Sequence, residues 1–416
     1  MANLIQLANL ILRGLTLVSK FVLVFFLAKY LSPGEVGLYG LLAATIGYAL
    51  YVVGLEFYTF STREIIGREP GKWLGMIRDQ AVFYLLLYVV LLPLMLIVFA
   101  KGWLPWAYAG WFFVLLILEH IAQELNRILI SISEQLLASA VLFLRSGAWC
   151  LIAILTMWFV PSTRNLDFVL GAWICGATLA CSVAIYRLLK LDKASLKKGV
   201  DWGWIRKGIK IAIPFLLASL AVRGMFTFDR YLVESLTNLE VLGAYVLFIG
   251  MANAILSFLD AGVIVFMYPK LVAAAKRGED AVFRHGMKVF FFNVLTVTAV
   301  LVLACWLISG PLMEWLNKPV YTDNLFILGW LLLAVSIYAM SMVPHLGLYA
   351  HGHDRPILYS QVAGLIAFLL VAFMAGKEHG VVVVPWGLCV GFFVVLVWKL
   401  IAYASMRSSQ RLVNLN

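Results

Sequence analysis

Long apolar runs alternate with short polar interruptions along the whole chain. Twelve runs are about as long as a membrane-spanning helix, which needs about 20 mostly apolar residues: 7–31, 37–62, 80–100, 106–130, 138–160, 167–189, 208–234, 241–268, 288–311, 323–350, 357–376 and 381–404. They are continuous rather than alternating, which predicts helices and not a barrel. The interruptions carry helix-stopping residues: Ser32-Pro33-Gly34, Leu104-Pro105, Val160-Pro161, Pro311, Lys318-Pro319 and Arg355-Pro356.

Composition agrees with this pattern. Hydrophobic residues make up 63% of the 416 positions, charged residues 13%, and mean hydropathy is +0.97. Soluble domains run at roughly 45–50% apolar and about 25% charged. A soluble enzyme, a disordered chain and a fibrous repeat are excluded, which leaves an all-α polytopic membrane protein with little chain outside the bilayer. The five cysteines, Cys150, Cys175, Cys181, Cys305 and Cys389, all sit in apolar runs and form no CxxC pair. They read as buried hydrophobes rather than a disulfide framework or a zinc site. The first run has no cleavable leader pattern, because Arg13 and Lys20 interrupt it.

The net charge of +11 would suggest nucleic acid in a soluble protein. In a membrane protein it reports orientation. Twenty Lys and Arg fall in one set of loops, at 63–78, 187–210, 270–288, 355 and 407–411. The opposite set has Lys101, Arg164, Lys318 and Lys377. The rule that positive loops stay inside makes the first set cytoplasmic, with both termini on that side. Trp103, Trp106, Trp111, Trp158 and Trp315 fall near the predicted external helix ends, as an aromatic belt does. Segment 190–207 mixes Lys193, Lys197, Lys198, Arg206 and Lys207 with Trp202 and Trp204, and is expected to lie on anionic lipid.

The chain also repeats itself. Leu31-Ser32-Pro33-Gly34-Glu35-Val36-Gly37-Leu38-Tyr39 opens the second run, and Leu236-Thr237-Asn238-Leu239-Glu240-Val241-Leu242-Gly243-Ala244-Tyr245 opens the eighth. Gly37 and Gly243 are 206 residues apart, as are Arg78 and Arg284. Six runs separate the copies, so the repeat is parallel, a pattern found in transporters. The expected organisation is a six-helix bundle over 1–190, a basic linker over 191–207 and a second six-helix bundle over 208–416.

Two segments carry a family likeness. The N-terminal run from Arg13 to Tyr39, with "FFLAKYLSPGEVGLYGLL" at 25–42, resembles the opening of the polysaccharide-repeat-unit (O-antigen) flippases, in the polysaccharide transporter branch of the multidrug/oligosaccharidyl-lipid/polysaccharide exporter superfamily. "IPFLLASLAVRGMFTFDRYLVESLTNLEVLGAYVLF" resembles the same family, with Pro214, Asp229-Arg230, Gly243 and Tyr245 where its pattern has them. Lys29 departs from it, standing where Arg is more usual. The resemblance implies export of a lipid-linked oligosaccharide in a bacterial plasma (inner) membrane.

Polar residues inside the spans point to where the chemistry lies. In the first span Gln6, Asn9, Arg13, Thr16 and Lys20 recur at spacings of 3, 4, 3 and 4. In the seventh, Ser219, Arg223, Thr227, Arg230 and Glu234 recur at 4, 4, 3 and 4. At about 100° per residue each set forms a stripe roughly 80° wide. These spans correspond in the two halves. The fourth span adds Glu119, His120, Gln123, Glu124, Asn126 and Arg127, and the fifth Arg145. Glu56 and Asp260 stand in the corresponding second and eighth spans. Charges this deep either pair with one another as helix glue or line water. Glu124 with Arg127, and His120 with Glu124, have the spacing for glue. Asp229 points away from the stripe, and Lys29 and Lys399 have the end positions of snorkelling residues.

Arg13, Lys20, Arg223 and Arg230 have only Glu234 on their faces, so a cationic, water-filled cleft enclosed by two bundles and opening alternately to each side is expected. Arg127 and Arg145 join its candidate binding set, Asn9, Thr16 and Thr227 its polar lining, and Glu56, Asp260, Glu119 and Glu124 are candidate ion carriers. Arg pairs bidentately with phosphate oxygens, which suits a polyprenyl pyrophosphate bearing a short glycan. A drug antiporter of the same superfamily is the alternative, though a cationic drug prefers an acidic cavity. A membrane glycan polymerase or ligase ranks lower, because no external loop is long enough for an active-site domain. Gly67–Lys72 lacks the spacing of a phosphate loop, and His351-Gly352-His353-Asp354 reads as a polar turn rather than a metal site. The chain is expected to act without catalysis, cofactor, metal or nucleic acid, as a monomer. H⁺ or Na⁺ is the coupling ion to consider, and polysaccharide polymerase or chain-length machinery the protein partner.

Overall fold

The computed structural model describes residues 2–413, and the side chains of Gln6, Lys377 and Arg411 lie outside the described residues. No strand occurs among the described residues. The helices are α1 (Ala2–Tyr30), α2 (Pro33–Gly54), α3 (Tyr58–Ile66), α4 (Pro70–Met95), α5 (Ile97–Ala100), α6 (Ala109–Ser131), α7 (Gln135–Phe143), α8 (Trp149–Phe159), α9 (Leu166–Leu188), α10 (Trp202–Leu236), α11 (Leu239–Leu259), α12 (Val265–Lys276), α13 (Asp280–Leu316), α14 (Pro319–Asp323), α15 (Phe326–Ala350), α16 (Asp354–His379) and α17 (Val383–Val413).

Among the described residues eleven helical stretches are long and apolar enough to cross a membrane. The twelfth expected span, α6, is left out of that set by its composition. At ~1.5 Å per residue its 23 residues cover about 35 Å, which is sufficient length. Its shortfall comes from Glu119, His120, Gln123, Glu124, Asn126 and Arg127, the residues that make it interesting.

Local chemistry explains the helix starts. Ser32 and Glu35 form a capping box: the Ser32 amide donates to Glu35 Oε2 at 2.9 Å and the Glu35 amide to Ser32 Oγ at 3.3 Å. Pro33 fits the first helical position, where an amide N–H has no partner anyway. In the repeated copy Asn238 takes over, its side chain accepting from the amides of Glu240 and Val241 at 3.0 and 2.9 Å.

Four expected spans are irregular inside, one of them 80–100, which breaks at Leu96 between α4 and α5. The run at 37–62 breaks between α2 and α3, where Leu55 and Glu56 take positive φ of 49° and 54°. Non-glycine residues hold that conformation at a cost of about 1–3 kcal/mol when their surroundings impose it. A π turn at Leu144–Ala148 joins α7 to α8, and another at Asp260–Ile264 joins α11 to α12. Glu56, Arg145 and Asp260 therefore all stand at backbone irregularities, which recur at functional sites.

The chain forms two compact units. The first comprises 1–31 and 41–220, the second 32–40 and 221–416. This division falls within α10 and assigns the first turns of α2 to the second unit. The basic segment is held against α4. The Gly75 amide donates to Ser195 Oγ at 3.0 Å, and Arg78 donates to the carbonyls of Leu196, Lys198 and Gly199. Trp204 packs against Phe57 and Phe60 at ring distances of 5.3 and 5.2 Å. Arg78, an orientation charge by its place in the sequence, clamps this segment to α4.

Within the second unit the repeated Gly-x-Tyr motifs meet. A Cβ on Gly37 would lie 2.3 Å from the Leu239 carbonyl oxygen, and one on Gly243 would lie 2.0 Å from that of Pro33. Helix backbones approach this closely only where a side chain is absent. Gly243→Ala should destabilise the protein by about 1–3 kcal/mol through overpacking. Gly310→Ala, which meets nothing within 4 Å, should be neutral or slightly stabilising. Thermal melts of the two purified variants check this.

Candidate functional site

The polar face of α6 organises the first unit. Glu119, Gln123 and Arg127 are spaced by four, as are His120 and Glu124, so adjacent rows of one face carry all five. Glu119, His120 and Glu124 are buried. Burying a carboxylate is costly unless donors surround it, and they do. Arg145 donates to Glu119 Oε2 from Nε and Nη2, at 2.8 and 2.5 Å, and to Gln123 Oε1 at 3.2 Å. Trp173 Nε1 of α9 donates to Glu119 Oε1 at 2.8 Å. The π turn supplies this geometry, because it carries Arg145 at the seam between α7 and α8.

A second cluster lies around Glu124. Its Oε1 is paired with Arg127, while Gln80 Nε2 and the Tyr84 hydroxyl donate to its Oε2 at 2.9 and 2.7 Å. The Arg127 guanidinium stacks 3.4 Å over the Tyr58 ring, just beyond the α2–α3 break that holds buried Glu56. The Tyr88 hydroxyl and His120 Nδ1 are 2.6 Å apart. Both α6 acids are thus committed to Arg partners, and Arg127 and Arg145 belong to ion pairs.

The α1 stripe differs. Thr16 is buried and donates to the Leu12 carbonyl at 2.7 Å, while Arg13 and Lys20 are exposed. Neither cation has an ion-pair partner within 4.0 Å among the described residues. Lys20 lies close enough to Glu119 and Arg145 to feel both charges, so two cations share that one acid. Asn9 is half-buried, and its Oδ1 has no hydrogen-bond partner among the described residues.

In the second unit Arg223 is exposed on α10, Thr227 is buried, and Arg230 is paired with its neighbour Asp229 at 3.0 Å. Fully buried Asp229 also accepts from the Tyr245 hydroxyl at 2.7 Å. Asp229 and Arg230 start on different faces of α10, and the long Arg230 side chain reaches back to the acid. Asp260 is exposed within its π turn. Lys399 corrects an expectation: it does not snorkel but is 0% exposed, and its Nζ has no hydrogen-bond partner among the described residues.

Sequence reasoning missed Tyr58, Gln80, Tyr84, Tyr88 and Trp173; Tyr245 stood out in the repeat, but not as a partner of Asp229. Gln80, Tyr84 and Tyr88 do carry a signal, since they recur every four residues on the face of α4 that meets α6. Trp173 carries none, because a lone aromatic in an apolar span looks like core.

No family model matches the chain, and no curated protein matches it in sequence. Solved structures do match. A multidrug resistance MATE family transporter of the MOP superfamily, in an inward-facing conformation, superposes with TM-score 0.75 at 14% identity, over 96% of this chain and 99% of that one. The lipid II flippase MurJ, in an inward closed conformation, gives 0.68 at 12% identity over 96% and 87%. The Vibrio cholerae MATE transporter VcmN gives 0.60 at 13% over 97% and 96%. The chain has the fold of MOP-superfamily transporters and is a multi-pass α-helical membrane protein.

Proposed function

We propose that this protein is a flippase. It moves a polyprenyl-pyrophosphate-linked oligosaccharide repeat unit from the cytoplasmic to the external leaflet of a bacterial plasma membrane, for O-antigen-like surface polysaccharide. The carrying observation is charge balance. Arg partners hold Glu119, Glu124 and Asp229, whereas Arg13 and Lys20 are exposed with no ion pair among the described residues. In lipid each such cation would cost roughly 2.5–3.5 kcal/mol, so these faces meet water or an anion. Pyrophosphate is an anion of suitable chemistry, and its lipid tail remains in the bilayer. Alternating access moves the headgroup across the membrane, with Glu56 and Asp260 as carriers of a coupling H⁺ or Na⁺. The fold likeness to a lipid II flippase supports a lipid-linked substrate. The Lys and Arg distribution supports a cytoplasmic position for both termini.

The drug-antiporter reading takes its support from the MATE neighbours, and the cationic lining weighs against it. Mass spectrometry of lipids co-purifying with the protein separates the two. A polyprenyl-pyrophosphate glycan is expected, depleted in Arg13→Ala. Its absence, with an organic cation bound instead, would favour the antiporter.

A further inference from the structure

The second unit contains a cavity of about 730 Å³ where α13, α15 and α17 come together. Arg284, His285 and Lys288 line it from α13, and Tyr403 and Arg407 from α17. No Asp or Glu lines it, and neither Arg284 nor Lys288 has a salt bridge among the described residues.

The internal repeat explains what such a cavity is for. At the 206-residue offset, Gly75, Arg78, Asp79 and Val82 of the first unit correspond to Ala281, Arg284, His285 and Lys288 of the second. In the first unit the position is a filled socket. Ser195 meets the Gly75 amide, three backbone carbonyls of 196–199 cap Arg78, and Asp79 pairs with Arg78 and accepts from the Asp201 amide at 3.2 Å. Arg and Asp there cancel, and uncharged carbonyls suffice. In the second unit the acid has become His285, an apolar position has become Lys288, and Arg407 is added. The socket has kept its guanidinium, lost its counter-charge and gained cations. Its complement is a group that presents several oxygens and carries negative charge.

We propose that this socket binds the phosphate of an anionic lipid headgroup. A guanidinium fork and an ammonium together suit phosphate oxygens. The cavity lies at the ends of spanning helices that the Lys and Arg distribution places at the cytoplasmic surface, where basic pockets between helices take anionic headgroups. The site is separate from the polar stripes and does not rest on the transport reading.

The test uses the full-length protein in detergent, with lipid adducts quantified by native mass spectrometry. Short-chain phosphatidylglycerol should bind more tightly than phosphatidylcholine. Arg284→Gln with Lys288→Gln should weaken phosphatidylglycerol binding about thirtyfold and leave phosphatidylcholine unchanged. Arg284→Lys with Lys288→Arg keeps the charge and should stay within about threefold, which separates loss of charge from loss of fold. Arg277→Gln, outside the cavity, should bind as wild type does. Equal phosphatidylglycerol affinity in wild type and the double Gln variant, or an equal loss in Arg277→Gln, would overturn the proposal. Displacement of the lipid by an equal concentration of inorganic phosphate would assign the site to free phosphate and overturn the lipid assignment.

Discussion

Replacing Lys20 by Ala should stop export of the lipid-linked glycan while leaving the amount of folded protein unchanged. Lys20 is exposed on the polar stripe of α1, makes no ion pair among the described residues, and adds its charge to that of Arg145 beside the single acid Glu119. Removing it leaves Glu119 with Arg145 and Trp173 as donors, so the fold loses little. A charge-assisted hydrogen bond to phosphate is worth about 1.5–3 kcal/mol, so its loss weakens headgroup binding roughly ten- to a hundredfold. Arg13→Ala should behave similarly, and Arg13→Lys should restore export only in part because the planar fork is gone. Export of surface glycan, measured beside protein level in membranes, checks this. Normal export from both Ala variants would exclude the α1 stripe from the path.

Arg145→Ala should do the opposite and deplete the folded protein itself. Glu119 is buried; Arg145 donates to its carboxylate from both Nε and Nη2, and Trp173 Nε1 donates to the other oxygen. Breaking one side of a buried pair costs about 3–5 kcal/mol, a large part of the stability of most folds. Replacing both partners, with Glu119→Gln and Arg145→Met, should recover much of that loss, since no uncompensated charge is left and Trp173 keeps its acceptor. Membrane protein level and thermal melts of the two variants beside wild type provide the measurement. Full stability in Arg145→Ala would mean that this pair does not hold the helices together.

The contrast between Lys20 and Arg145 marks the limit of what the sequence shows. Both are cations deep in apolar runs, and both read as members of one binding set. Only the structure shows that Arg145 projects from a π turn onto Glu119 while Lys20 does not pair. A π turn leaves no trace in hydropathy, because it adds no polar residue. The α2–α3 break is likewise hidden: Leu55 and Glu56 are not residues that announce positive φ. The helix count and the Gly37–Gly243 motif were legible because length, apolar runs and repetition act over many residues. The clamp of Arg78 on 196–199 was not, since backbone carbonyls have no sequence signature. Lys399 reads as a residue near a helix end, and its burial follows from packing among α15, α16 and α17.

Transport by the purified protein bears most directly on the central claim. Proteoliposomes would carry a fluorescent polyprenyl-pyrophosphate oligosaccharide in the outer leaflet, and its loss from a membrane-impermeant glycosidase would be followed in time. The wild-type protein should protect a growing fraction of the glycan, and the Lys20→Ala protein should do no better than empty vesicles. Protection by wild type equal to that of empty vesicles, while the same vesicles accumulate a cationic dye, would contradict the flippase account.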